Sequence, residues 1–278
     1  MGKTTAIDWT DHTFNPWWGC EKISPGCSRC YAATFAKRTG HDVWGPGADR
    51  RTFGDGHWNE PLKWERAARA AGRPALVFCA SMADVFEDHP AVVDERARLW
   101  DLVARTPSLR WLLLTKRPEN VRAMVPDEWL EAPEPPVASW WPSNVWIGTT
   151  VEDQEHALER IPVLLEIPAH VRFLSCEPLL GPVDLTEVDE EDVEDGIHWI
   201  IAGGESGAKY RALDVDHARA LRDQADAYGI PFFYKQTGGL TPKAGGRLID
   251  GRLRWAWPAD AGDRSDVVAA AMAEEGIS

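Results

Sequence analysis

LRWLLLTK, residues 109–116, is an apolar run that ends abruptly in a hydroxyl and an ammonium group. Apart from Arg110 it does not alternate, so it reads as a strand buried on both faces, as in a parallel sheet. Working outward, five more runs have the same form: PALVFCAS (74–81), NVWIGTTV (144–151), VRFLSCEP (171–178), HWIIAGGES (198–206) and IPFFYKQTGG (230–239). TTAIDW (4–9) predicts a further strand ahead of them. Helical patterns lie between several of the runs, over 90–106, 152–167 and 214–230. Pro162 is expected to start or kink a turn in the second of these, while Asp214 or Asp216 caps the third and Gly229 stops it. Strand–helix alternation repeated this often means α/β. A parallel sheet with this many repeats is either doubly wound or closed as a barrel.

The same polar chemistry recurs where each strand ends. Ser81 and Asp84 follow the second expected strand, and Thr115, Lys116 and Arg117 the third. Thr149, Thr150 and Glu152 follow the fourth, Ser175 and Glu177 the fifth. Gly203, Gly204, Glu205 and Ser206 follow the sixth, and Lys235, Gln236 and Thr237 the seventh. Any one group reads as a helix cap. Together, at equivalent ends of parallel strands, they read as the lining of one site. Two stretches interrupt the pattern, a Gly- and Trp-rich one at 40–64 and a Pro- and Trp-rich one at 126–144. Loops of that length are functional lids or disordered segments.

Composition narrows the function classes. An apolar share of 44% places the chain among globular proteins rather than disordered ones. The net charge of −14 excludes broad, non-specific binding to phosphate backbones, although local basic patches remain open. Much of the acid lies in EVDEEDVEDG (187–196), which reads as a solvated loop. The 15 tryptophans either fill the core or line a stacking surface. No apolar run reaches the length of about 18 residues that a membrane helix needs. MGKTTAIDWTDHTF lacks the basic and apolar regions of a signal peptide, so the expected location is cytoplasmic.

Five cysteines in a reducing compartment argue against a disulfide framework. Three of them, Cys20, Cys27 and Cys30, fall within GCEKISPGCSRCYA (19–32) just before an expected short helix, YAATFAKR (31–38). Three thiols fit two chemistries. A structural zinc ion needs a fourth ligand, for which His12 or His41 is available. A [4Fe–4S] cluster held by three thiolates leaves one iron open to a substrate or cofactor. Cys79 and Cys176 sit in apolar strands and read as core residues.

Three cysteines in the loop after the first strand of a strand–helix repeat resemble the radical SAM superfamily, which implies a single partial or full (β/α) barrel of about six to seven parallel strands over residues 1–258, with 259–278 as a tail or helix. That resemblance implies a [4Fe–4S] cluster on Cys20, Cys27 and Cys30 whose fourth iron takes S-adenosylmethionine. It further implies reductive cleavage of the sulfonium to a 5′-deoxyadenosyl radical, and an electron donor of flavodoxin or ferredoxin type. The spacing here is C-x6-C-x2-C where the superfamily uses C-x3-C-x2-C. Arg29 stands where an aromatic residue is usual, and Tyr31 follows Cys30 instead. The GC..CYA ending, LLLTKRP (112–118) and WIGTTVED (146–153) resemble the spore photoproduct lyase-like branch. GGES (203–206) follows the sixth strand rather than the second, where FCASMADVF (78–86) offers Ser81 and Asp84.

The pattern DWT, TFNPWWGC, SPGC..CYA, SMADVFE, LLLTKRPEN, GTTVED, SCEPLLGP, GGESG and FFYKQ is similar, over about residues 7–257, to a phage-associated three-cysteine family of unknown function. On the radical SAM reading, Tyr31, Ser81, Asp84, Thr149, Glu177, Gly203, Gly204 and Glu205 are the groups available to hold the cofactor. Lys116, Arg117 and Lys235 are then available for an anionic nucleic-acid or nucleotide substrate. Two other readings stand beside this one. The first is a zinc- or cluster-stabilised nucleic-acid-binding module without catalysis, with Trp-rich loops stacking on bases. The second is a metal-independent α/β barrel hydrolase or lyase using Glu177, Glu205 and Lys235.

Overall fold

The apolar runs become strands almost residue for residue. The computed structural model describes residues 5, 7–130, 140–188, 190–241 and 244–277. The first elements are β1 (His12–Thr13), α1 (Tyr31–Arg38), α2 (Asp55–Trp58), α3 (Glu60–Ala71), β2 (Ala75–Cys79) and α4 (Val93–Ala104). They are followed by β3 (Leu109–Thr115), α5 (Val121–Met124), α6 (Asp127–Leu130), β4 (Val145–Thr150), α7 (Gln154–Leu165) and β5 (Arg172–Cys176). The chain continues with α8 (Glu190–Gly196), β6 (Trp199–Gly203), α9 (Val215–Ala227), β7 (Phe232–Gln236), the hairpin strands β8 (Leu248–Ile249) and β9 (Arg252–Leu253), and α10 (Ser265–Glu275).

β1 to β7 form one sheet in sequential order with every neighbouring pair parallel. Successive right-handed crossovers in one direction place the helices on one face, and the sheet curls into a half-barrel. Period-two alternation then sorts the strand side chains into two cores. Val77, Trp111, Leu113, Ile147, Leu174, Ile200 and Tyr234 pack outward with helix residues such as Leu99, Leu164 and Leu221. Leu76, Phe78, Leu112, Trp146, Phe173, Trp199, Ile201 and Phe233 pack together inside the curl. Trp199 is the hub of the inner core: Trp9, Trp146, Phe173 and Phe233 surround its ring at 6.0–6.3 Å between centroids. The amino-terminal part of the barrel interior is therefore packed aromatic core, and open chemistry is confined to the carboxyl ends of the strands.

The C-terminal segment completes the curl. Tyr234 donates its N–H to the Arg254 carbonyl (2.8 Å) and Ala256 donates to Phe232 (3.1 Å), so residues 254–256 run along the free edge of β7. Trp257 Nε1 then donates to the Trp9 carbonyl at 3.2 Å. Buried Arg264 grips both carboxylate oxygens of Asp11 at 2.8 Å and reaches the Pro74 carbonyl at 3.2 Å. The two edges of the half-barrel, β1 and β7, are thus tied together by tail side chains.

Four expectations are corrected. The first strand is His12–Thr13 and not 4–9, where residues 4 and 6 lie outside the described residues. Trp9 instead turns into the inner core. The stretch 40–64 is not one loop: α2 and the start of α3 occupy its second half, with Pro61 in the first turn of α3. α7 runs through Pro162 without ending there, because its apolar face, Ala157, Ile161 and Leu164, is fully buried. The acidic run contains α8, which is nucleated on the core by fully buried Val193. Of the 126–144 stretch, residues 131–139 lie outside the described residues, and Trp129 and Trp141 on either side meet ring to ring at 5.4 Å.

Candidate metal centre on the strand rim

TFNPWWGC brings the first cysteine to the rim. Asn15 is fully buried and its side-chain oxygen accepts from Met82 N–H at 2.7 Å, while its amide donates to Ser81 Oγ at 3.2 Å. Trp18 and Arg51 exchange both backbone hydrogen bonds at 2.9 Å, and Gly19 N–H donates to Met82. Gly19 adopts φ +122°, where a Cβ would overlap the Val43 carbonyl, so the residue before Cys20 has to be glycine. Cys20 emerges beside the carboxyl end of β2.

Below Cys20 lies a buried charged hub. The Asp84 carboxylate accepts from Thr115 Oγ1 (2.7 Å), Lys116 N–H (3.1 Å), Phe86 N–H (3.0 Å) and Arg117 Nη1 (3.0 Å). Arg117 also donates to the Glu21 carbonyl at 3.0 Å and approaches Cys20 Sγ at 3.8 Å. Asp84 and Arg117, from the ends of β2 and β3, therefore hold the cysteine loop from beneath. Burial, reinforced by the Asp84 and Glu87 charges, pushes the Cys20 thiol well above its ordinary range.

Glu152 grips the gap between the first two cysteines. It is fully buried and stands two residues beyond Thr150, the last residue of β4. One carboxylate oxygen accepts from Ser24 Oγ (2.5 Å) and Lys116 Nζ (2.6 Å), and the other from Gly26 N–H (2.8 Å). Burial by itself would raise this carboxyl, but the Lys116 ammonium, the Ser24 hydroxyl and the Gly26 N–H override it and bring it down to about 2. A Cβ on Gly26 would stand 2.5 Å from the carboxylate, so glycine is again required by close approach. Ser24 Oγ lies 3.4 Å from Cys27 Sγ as well.

Cys27 ends a short 3₁₀ turn, Pro25–Cys27, and Cys30 is the residue from which α1 starts. Burial pushes the Cys30 thiol up, opposed by backbone N–H groups of Ala33 and Ala32 that point at the sulfur. All three thiols are half-buried and free, unlike Cys79 and Cys176, which are fully buried in their strands as expected. Tyr31, next to Cys30, donates its hydroxyl to the Ser81 carbonyl at 3.0 Å. Cys30 and Tyr31 thus meet the end of β2 as well.

The far side of the rim is built from pairs. The side chains of Glu177 (after β5) and Lys235 (on β7) form an ion pair across β6, at the level where Gly203 carries no side chain. Glu205 is neutralised by Arg211, which donates through its backbone N–H (2.8 Å) and its guanidinium. Burial acts to raise the Glu205 carboxyl, and the Arg211 contacts outweigh it and lower it. Gln236 ties Gly204 O (3.1 Å) to Ser206 Oγ (2.6 Å). Arg29, between Cys27 and Cys30, donates to the Lys209 carbonyl at 2.5 Å and links the cysteine loop to the segment after β6.

Most expected site residues therefore share one rim. Tyr31 and Ser81 bond to each other, Asp84 meets Arg117, and Glu177 meets Lys235. Thr149 stands apart: it alternates with Val145 and Ile147 onto the helix-facing side and donates to the Thr115 carbonyl at 3.1 Å. Lys116, Arg117 and Lys235 are all found in ion pairs, with Glu152, Asp84 and Glu177. The candidate zinc ligands are placed elsewhere: His12 stacks on Trp64 at 4.3 Å and His41 meets the edge of Trp18 at 5.6 Å. Missing from the expected set were Asn15 and Ser24, while Glu152 figures there only as one of the polar groups at the end of β4. For Glu152 a signal exists, since the alternation Trp146, Gly148, Thr150, Glu152 keeps one face and ends on a carboxylate.

Among the described residues, no three His, Cys, Asp or Glu side chains converge as ligands of one ion. A cubane cluster asks for something different, thiolates that each reach a separate iron. Cys20, Cys27 and Cys30 are half-buried free thiols on one loop pinned to the strand rim.

The profile of a family described as proteins of unknown function, DUF5131, matches residues 4–258. No curated protein matches the chain. Among solved structures, a spore photoproduct lyase variant with bound AdoMet and dinucleoside spore photoproduct is 10% identical, with a TM-score of 0.45, covering 95% of this chain and 74% of its own. Two further variants of that lyase are 10% and 11% identical, with TM-scores of 0.43 and 0.44, covering 93% and 99% of this chain and 72% and 78% of their own.

Proposed function

The chain belongs to the DUF5131 family of proteins of unknown function, and we propose that it is an iron–sulfur, radical SAM-type enzyme acting on a nucleic-acid or nucleotide substrate. One observation carries the reading: Cys20, Cys27 and Cys30 lie on a single loop that residues from the carboxyl ends of β2, β3 and β4 fix to the rim of a parallel half-barrel. Cys20, Cys27 and Cys30 would hold three irons of a [4Fe–4S] cluster. With S-adenosylmethionine bound, the cluster would supply one-electron cleavage of the sulfonium.

The protein's own residues do the rest. Arg117 and Asp84 support Cys20, and Tyr31 and Asn15 fix Ser81 and the end of β2 beside the cysteine loop. Gly203 and Gly204 run between the Glu177–Lys235 pair and the Glu205–Arg211 pair, packed against the backbone of Gln236 and Thr237. The polar groups of S-adenosylmethionine would be bound on this rim, beside the Tyr31–Ser81 contact. An external one-electron donor of flavodoxin or ferredoxin type completes the requirement.

The substrate class rests on charge and stacking. Between Cys20 and Arg38 one acid, Glu21, faces four bases, Lys22, Arg29, Lys37 and Arg38, in a chain whose net charge is −14. Those bases are exposed, as are the rings of Tyr31, Phe35 and Tyr210. Arg38 lies 5.5 Å over the Phe35 ring. Basic groups interleaved with exposed aromatics at the mouth of a site suit phosphates and bases. The hydrolase alternative would need a free carboxylate, and Glu177 and Glu205 are both ion-paired.

Anaerobic reconstitution tests the reading. The expected result is brown protein with about four irons per chain, and release of 5′-deoxyadenosine on reduction with S-adenosylmethionine. Cys27→Ala should lose both. A colourless protein carrying one tightly held zinc would sink the proposal.

A further inference from the structure

The C-x6-C-x2-C spacing leaves a question that the proposed function does not answer. The stretch EKISPG, between Cys20 and Cys27, must be shaped by something, since a loop of this composition has no intrinsic reason to hold one conformation. Within the loop, Ser28 and Lys22 make only local contacts, to the Pro25 carbonyl (2.7 Å) and the Ser28 carbonyl (3.1 Å). The contacts that reach the barrel from the middle of the gap all end on one residue, Glu152.

We propose that Glu152 is a positioning residue for the cysteine loop. Its buried carboxylate templates the widened turn at Ser24–Gly26, and thereby places Cys27 relative to Cys20 and Cys30. Four features carry this. Glu152 is fully buried although charged, and its two oxygens divide their work, one to Ser24 and Lys116, the other to the Gly26 N–H. Its own backbone carbonyl is anchored by Leu180 N–H (2.7 Å) and Gly181 N–H (3.2 Å), so the carboxylate stands on a fixed base. Arg160, 3.8 Å away, places a second cation beside the carboxylate. Ser24 then passes the grip to Cys27, whose sulfur lies 3.4 Å from its hydroxyl. A glutamine cannot replace the carboxylate: with its oxygen toward Ser24 and Lys116 its NH₂ would face the Gly26 N–H, and with its oxygen toward Gly26 its NH₂ would face the Lys116 ammonium.

The inference rests on the iron–sulfur reading for its purpose, but the loop geometry can be tested without iron. In the metal-free chain, Cys27 alkylation by a small maleimide should be several-fold faster in Glu152→Gln and Gly26→Ala than in wild type. Cys30 alkylation, read by mass spectrometry of the same digest, should change less. Gly26→Ala pushes the loop off the carboxylate while leaving the Glu152, Lys116 and Arg160 side chains chemically intact, so the chain should keep the wild-type circular dichroism. After reconstitution, both variants should hold at least threefold less iron per folded chain. If wild type binds no iron while the alkylation rates still separate, the functional reading fails and the positioning role stands. If wild type binds iron and Gly26→Ala matches it in iron content and in Cys27 reactivity, Glu152 is only a structural ion-pair partner and the inference is overturned.

Discussion

Gly26 and Glu152 show how little of a site can be carried by residue type alone. Nothing in EKISPG announces a bond to a residue 126 positions away, and GTTVED reads as easily as a helix cap. Asp153 is indeed such a cap, accepting from His156 N–H at 3.1 Å, while its neighbour Glu152 turns inward. The cysteine cluster itself was legible, because three thiols fall within one short loop. Their supports were not, since each is a polar residue whose meaning depends on what the fold brings to it. A pH prediction belongs here. Glu152 sits at about 2 in the folded chain against an ordinary 4.5, so its contribution to stability is fully present above 4.5 and is lost as pH falls toward 2. Thermal midpoints of the metal-free protein measured across that window should fall more steeply for wild type than for Glu152→Gln; parallel slopes would show that the carboxylate is not strongly perturbed.

At the scale of elements, continuous apolar runs located all six long strands, because strands covered on both faces leave no polar alternation to misread. β1 escaped, being two half-buried residues whose pairing with Val77 and Phe78 is set by β2 rather than by its own composition. The 40–54 loop is ordered by a buried pair that sequence could not reveal. Arg50 meets Glu87 through two hydrogen bonds, at 2.9 and 2.8 Å, and also reaches the Val43 carbonyl. Their side chains are 1% and 4% exposed. Removing one partner strands the other's charge, so Glu87→Ala should destabilise the protein by about 3–5 kcal/mol in urea unfolding. Arg50→Met combined with Glu87→Leu should recover much of that loss; equal destabilisation by the single and double variants would mean that the shape of the pair matters more than its charge.

At the scale of the whole molecule, the tryptophans proved to be largely structural. Trp9, Trp146 and Trp199 fill the barrel interior with Phe173 and Phe233, which leaves the strand rim as the place for chemistry. The described residues include no helix long and apolar enough to cross a membrane. The tail beyond residue 258 closes the half-barrel through Arg264 and Asp11. Charged hydrogen bonds of this kind contribute about 1.5–3 kcal/mol. Arg264→Ala should therefore lower global stability by that amount; a change of about 0.5 kcal/mol or less, typical of a surface substitution, would show that the tail merely lies on the barrel.

By itself the sequence determined the α/β class of the fold, the positions of its six long strands and the clustering of three thiols ahead of them. These follow from local properties: apolar run length, helical periodicity and the clustering of one reactive residue type. Only the tertiary structure decided which polar groups serve that site. The Glu152–Gly26, Arg117–Cys20 and Arg264–Asp11 contacts join residues 126, 97 and 253 positions apart. Pairings at such separations are set by the curl of the sheet, because a buried charge takes whatever partner the packing places within hydrogen-bonding reach.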